Sequence, residues 1–134
     1  MRTIESALTN QVFSLEDMEN KLKPLGFDIG GGWEYDHGFF DYQLQQEKTY
    51  FFLRIPFTAE VGQLDEQGVE VRVGQPYILG HQFQTGIDEE GQTGNFSASI
   101  NQFQDPVDQD TSVPERFVEA GRNVLESAEK ALLS

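Results

Sequence analysis

The segment Thr49–Phe57, TYFFLRIPF, carries a single charge, Arg54, in nine positions. A run this short and this rich in aromatic and β-branched residues reads as a strand rather than a helix, and its apolar character on both faces places it centrally in a sheet. Pro56 has no N–H to give to a ladder, so it marks the point where pairing ends or bulges. Alternation along the strand puts Phe51, Leu53 and Ile55 on one face and Tyr50, Phe52 and Arg54 on the other.

Upstream lies Gly30–Tyr42, GGGWEYDHGFFDY. Phe27 and Ile29 alternate with polar or small residues up to the glycine run, then Trp33 and Tyr35 continue one face while Glu34 and Asp36 take the other. The pattern predicts a strand bent at its glycines, followed by a hairpin turn at His37-Gly38. That turn would set Asp36 against Phe39, Tyr35 against Phe40, Glu34 against Asp41 and Trp33 against Tyr42. Downstream, VEVRV at Val69–Val73 places its three valines on one face and Glu70 and Arg72 on the other. Tyr77–Gln84 and Phe96–Phe103 are further strand candidates, separated by an acidic, glycine-containing loop.

Two helices flank these strands. Ser14 followed by Asp17 approximates a capping box, Phe13 and Met18 occupy staple positions, and Leu15, Met18, Leu22 and Leu25 recur at helical spacing up to Gly26. Pro24 predicts a distorted last turn. Near the C-terminus, Ser112 and Glu115 suggest a second capping box with Pro114 in the first turn. Phe117, Val118, Gly121, Val124, Leu125, Ala128 and Leu132 form one apolar stripe beyond it, and Gly121 within the stripe suggests close approach to the sheet. These elements predict one α+β domain over residues 1–134: a mainly antiparallel sheet with an N-terminal and a C-terminal helix packed on one face.

Composition narrows function. The chain has 134 residues, enough for a core without metal or disulfide staples, and no cysteine, which removes thiol catalysis, disulfides and Cys-ligated zinc or iron–sulfur chemistry. Nine basic residues against 23 acidic ones give a net charge of −14, which repels phosphate backbones and anionic lipid. Nucleic-acid and membrane partners are therefore not expected. With neither a signal-like apolar run nor a membrane-length one, the chain reads as a cytoplasmic protein.

The glycines of Gly30–Tyr42 do not make a phosphate loop, because they lead into a strand rather than a helix N-terminus. A metal site is the sharper alternative: Asp36, His37 and Asp41, with His81 and Glu34 brought in by the fold, would supply imidazole and carboxylate ligands, although their spacing matches no specific signature. On the shared strand face, Glu34, Asp41, Arg54, Glu70 and Arg72 project together. They form either a ladder of cross-strand ion pairs or, shielded by Tyr50, Phe52 and Phe39, a grip on a small anion or a second subunit. GNFSAS does not fit a nucleophile elbow, and Arg54 beside Glu34 and Asp41 would hold both ionised rather than split them into acid and base. No catalytic residue and no cofactor is assigned.

GGGWEYDHGFFDY, together with YFFLRIPF, GQLD and PYILGHQF, resembles the YugN-like family of small proteins from Bacillus and related Firmicutes. The resemblance runs from the first helix to about Gly86 and is less distinct beyond. It implies a single-domain α+β cytosolic protein, and it carries over no reaction, ligand or site residue. The expectation is a non-catalytic interaction or ligand-binding domain, a homodimer through the aromatic and arginine face. Two alternatives stand beside it: a metal-dependent hydrolase or metal-binding protein using His37, Asp36, Asp41 and His81, and a small-anion binder using Arg54 and Arg72.

Overall fold

A computed structural model of the chain describes residues 1–31, 36–46, 49–60, 68–82 and 113–134. Its elements in chain order are β1 (Arg2–Thr3), β2 (Val12–Ser14), α1 (Leu15–Leu22), a 3-10 turn (Lys23–Leu25), β3 (Asp28–Gly31), β4 (His37–Gln46), β5 (Thr49–Ala59), β6 (Glu70–Val73), β7 (Tyr77–Gln82) and α2 (Glu115–Leu133). The strand expected over Phe96–Phe103 lies outside the described residues, as do Trp33, Glu34 and Ser112.

All strand pairs are antiparallel, in the order β1-β7-β5-β4-β3, with β6 on β5 and β2 on β6. β5, the run that the apolar pattern marks as central, pairs with β4 on one side. On the other side it pairs with β7 over Thr49–Arg54 and with β6 over Phe57–Ala59. Pro56 falls in the gap where the partner changes, so its missing N–H breaks no ladder there, and its carbonyl accepts from Gly74 N–H at 2.8 Å.

Phe51, Leu53, Ile55 and Phe57 of β5, Phe40 of β4, and Val71 and Val73 of β6 are buried on one face, the core face. Helix α2 packs its stripe against this face: Phe117 stacks on Phe51 with ring centroids 4.4 Å apart. A Cβ on Gly121 would lie 2.6 Å from Ile78 Cδ1 and 3.7 Å from Ile4 Cδ1, which is the close approach the glycine suggested. The carboxylate of Glu129 ties the N-terminal segment to the same helix, accepting from Ser6 Oγ at 2.7 Å and Ala7 N–H at 3.1 Å.

Helix α1 begins as its cap predicts, with Asp17 N–H donating to Ser14 Oγ at 3.2 Å. It tightens into the 3-10 turn at Pro24 and ends at Gly26 with φ +114°. It is not the first element of the chain, since β1 and β2 precede it. Both are short strands that exist only through pairing with β7 and β6, a long-range partnership with no local periodicity to announce it. Helix α2 starts at Glu115 with Pro114 as its extended N-cap residue and no side-chain cap bond, rather than with Pro114 inside the first turn.

The hairpin register differs from expectation. Gly31 pairs with Gly38, Gly30 with Phe39, Ile29 with Phe40 and Asp28 with Asp41, so His37 and Gly38 lie in β4 and not at a turn. Asp41 therefore stands opposite Asp28 instead of Glu34, a displacement of six residues. The displacement is even, so the side chains sharing each face are unchanged. The glycines explain this register: a Cβ on Gly31, where φ is +123°, would sit 2.4 Å from Gly38 Cα, and one on Gly30 would sit 2.9 Å from the Phe39 ring. At Gly31 the obstacle is backbone and the φ is left-handed, so that position is open to glycine alone.

Candidate functional site: the outer sheet face around Arg54

The face of the sheet opposite the core carries a row that crosses five strands in register: Asp28 (β3), Asp41 (β4), Arg54 (β5), Tyr77 (β7) and Thr3 (β1). Arg54 is its centre. Its Nε donates to Asp41 Oδ1 at 2.8 Å and its Nη2 to Oδ2 at 2.9 Å, the bidentate geometry that guanidinium favours with carboxylate. Its Cζ lies 3.8 Å from the Phe39 ring centroid, a cation–π contact, and the Tyr77 phenol adds a hydrogen-bonding contact from β7. Along β5 the neighbours of Arg54 on this face are Phe52 and Pro56, and Phe52 meets Tyr50 edge-on at 6.4 Å. Phe39, Phe52, Tyr50, Tyr77 and Leu79 are all half-buried.

The electrostatics follow from that enclosure. Burial pushes the Asp41 carboxyl above its ordinary value; the hydrogen bonds and charge of Arg54 pull it back, and Asp28 across the ladder pushes it up again. Desolvation works against the Arg54 charge, but its bonds to Asp41 win and leave the guanidinium more firmly protonated. Because folded Asp41 holds its proton more tightly than the unfolded chain does, its contribution to stability is full below the unfolded pKa. That contribution is lost as pH rises through the folded one.

The other residues of the expected cluster are placed separately. Arg72 lies on the same face opposite Thr58 and forms its own bidentate pair with Glu60 at 2.8 and 3.2 Å, while its Nη1 donates to the Asn10 carbonyl at 2.9 Å. Glu70 is exposed on β6, and Glu34 lies outside the described residues. Arg54 and Arg72 are separated by four positions along β5, about 13 Å at ~3.3 Å per residue, so an anion shared between them would have to displace two carboxylates.

The metal constellation does not assemble. His37 pairs with Thr58 at one end of β5 and His81 with Tyr50 at the other, eight positions or roughly 26 Å apart along the strand. His37 Nδ1 is 3.3 Å from Asp36 Oδ1 at an exposed position, and Asp41 is taken by Arg54. Among the described residues no three His, Cys, Asp or Glu side chains converge as a metal would require. The metal expectation is corrected on this ground: composition counted ligands that the register distributes along the length of a strand.

Three participants escaped the sequence reading. Asp28 follows from the period of two starting at Phe27, and Glu60 from the even-numbered face of β5 carried past Thr58. Only the β5–β7 register reveals Tyr77. If the Arg54–Asp41 pair is a true partnership, Asp41→Ala will cost about 1–3 kcal/mol by leaving a half-covered guanidinium unsatisfied. This is below the fully buried case because the two side chains keep 24% and 17% exposure. The double variant Arg54→Met, Asp41→Leu should recover most of the loss in urea denaturation, with a coupling of about 1 kcal/mol or more. Additive losses would refute the partnership.

The model of the YugN-like family matches residues 3–132. The chain belongs to the YugN-like family. The match extends well past Gly86, so α2 is as much part of the YugN-like domain as the hairpin. The chain is 42% identical over 133 residues to the "Uncharacterized protein YugN" of Bacillus subtilis (strain 168), covering 99% of each chain. The crystal structure of the YugN protein from Geobacillus kaustophilus HTA426 superposes with a TM-score of 0.72 at 20% identity, over 98% of this chain and 95% of that one. That similarity establishes the YugN-like α+β fold. In this YugN-like chain no described helix is long and apolar enough to cross a membrane.

Proposed function

We propose that this YugN-like protein is a non-catalytic interaction module of the cytoplasm whose working surface is the outer sheet face around Arg54, and that its partner there is a second copy of the chain. In this reading both helices cover the core face and leave the other face to the partner. One observation carries it: half-buried Phe39 and Tyr77 contact, and Phe52 flanks, an arginine whose charge is already met by Asp41, with Tyr50 packed edge-on against Phe52, so this part of the face is an aromatic patch on a chain of net charge −14. Aromatic residues with arginine and few unpaired charges are the composition of interface cores. A small-anion role for Arg54 and Arg72 has less support, since both guanidiniums are already bidentate to carboxylates.

Sedimentation velocity over a concentration series, with native mass spectrometry of protein from its own cytosol, tests the proposal. A dimer is expected, and it should tighten with added salt as the mutual repulsion of two acidic chains is screened. Phe52→Asp should raise the dissociation constant about thirtyfold or more, the effect of losing a central aromatic anchor. A monomer at every concentration, or a Phe52→Asp variant that dimerises like the parent, would sink the reading. A reproducible mass excess over the bare chain would point to a bound ligand instead.

A further inference from the structure

Asp28 and Asp41 occupy directly opposed positions of the β3–β4 ladder. Opposed residues in an antiparallel pair hold their Cβ atoms about 4.5–5.5 Å apart, and like charges placed so are unfavourable. Among the described residues one cation, Arg54, serves this carboxylate pair, and of the two carboxylates it bonds to Asp41. Among the described residues, the charged or titratable groups facing Asp41 are Asp28 from β3 and Arg54 from β5, with Tyr77 of β7 behind Arg54. On β4 itself there is His37, four positions away on the same face and exposed. No lysine is among these groups. The row Asp28, Asp41 and Arg54 thus carries one net negative charge at neutral pH, within an aromatic surround.

We propose that this row is a proton switch: uptake of one proton from solvent by Asp41 loosens the bidentate hold on Arg54 and brings the row to net zero charge. Acid then favours the meeting of two such faces. The regulatory half of the proposal rests on the reading of this face as the contact between two copies; the switch itself does not. The physical basis is that a carboxylate accepts two charge-assisted hydrogen bonds from a guanidinium, whereas a carboxylic acid offers one weaker acceptor and competes with its own O–H donor. Burial and the facing Asp28 charge both favour the protonated form of Asp41, while Arg54 opposes it. Removing the charge of Asp28 therefore tilts the balance toward the ionised, clasped form.

The test is a pH titration of the full-length, isotopically labelled chain by NMR, following the Asp41 carboxyl carbon and the Arg54 Nε–H, with sedimentation measured over the same pH range. Asp41 is expected to titrate above the ordinary aspartate value of about 3.9. The Arg54 signal should move with the same midpoint. Asp28→Asn, at an exposed position that leaves the fold intact, should shift that midpoint downward. Asp41→Asn should associate at neutral pH as the parent does in acid, with its pH dependence lost. An Asp41 midpoint at or below the ordinary value, an Arg54 signal indifferent to it, or no shift in Asp28→Asn would overturn the switch. Should Asp41 and Arg54 titrate together in a chain that stays monomeric, the switch stands and the two-copy reading of the face falls.

Discussion

Gly31→Ala is expected to lower the unfolding free energy by about 3–4 kcal/mol, combining backbone strain with a clash that no side-chain movement relieves. At φ +123° an L-residue is strained before any contact is considered, and the new Cβ would lie 2.4 Å from Gly38 Cα and 3.1 Å from the His37 carbonyl oxygen. Both obstacles are backbone of the paired strand, so relief requires the β3–β4 ladder to open. Urea denaturation followed by circular dichroism measures the loss. A midpoint shift worth less than about 1 kcal/mol would show that the hairpin does not depend on this close approach. Gly68→Ala is the useful contrast: φ there is +75°, yet among the described residues nothing lies within 4 Å of the added Cβ, so conformational strain is the expected cost.

The second large effect is expected from Phe57→Ala, at about 3–5 kcal/mol for a fully buried ring whose removal leaves a cavity. Phe57 is 2% exposed, its ring lies 5.2 Å from that of Phe40, and a Cβ on Gly38 would come within 2.9 Å of it. Collapse into the space is limited because β4, β5 and β6 all border it through ladder pairing. Phe52→Ala, five positions earlier on the opposite face, should cost about 1 kcal/mol or less, since the ring is already half in solvent. Equal losses at the two positions would mean that the outer face is as tightly covered as the core, and would remove the basis for treating it as a contact surface.

Much of the architecture was legible because it depends on neighbours in sequence. The period of two in Thr49–Phe57 and Val69–Val73 assigned Phe51, Leu53, Ile55, Val71 and Val73 to the interior and Arg54 and Arg72 to the opposite face, as found. Ser14, Gly26 and the stripe from Phe117 to Leu132 likewise marked the helices through local capping and the helical period. Less of the candidate site was legible. That Arg54 would meet Asp41 followed from face and strand order, but that Asp41 would face Asp28, or that Arg72 would choose Glu60, did not.

The amino-acid sequence by itself determined which side chains share a face, where the first helix begins and ends, the apolar stripe of the second, and a surface charge that repels other anions. These are consequences of backbone period, capping and composition, and a shift of register by an even number of residues leaves the faces untouched. Only the tertiary structure decided which residues are opposite one another. The β3–β4 register is selected by how closely two backbones approach at Gly30, Gly31 and Gly38, and the separation of His37 from His81 by the length of β5. Those are contacts between segments distant along the chain, and no local pattern encodes their distance. The proton-sensitive row of Asp28, Asp41 and Arg54 exists because that selection placed two carboxylates and one guanidinium side by side.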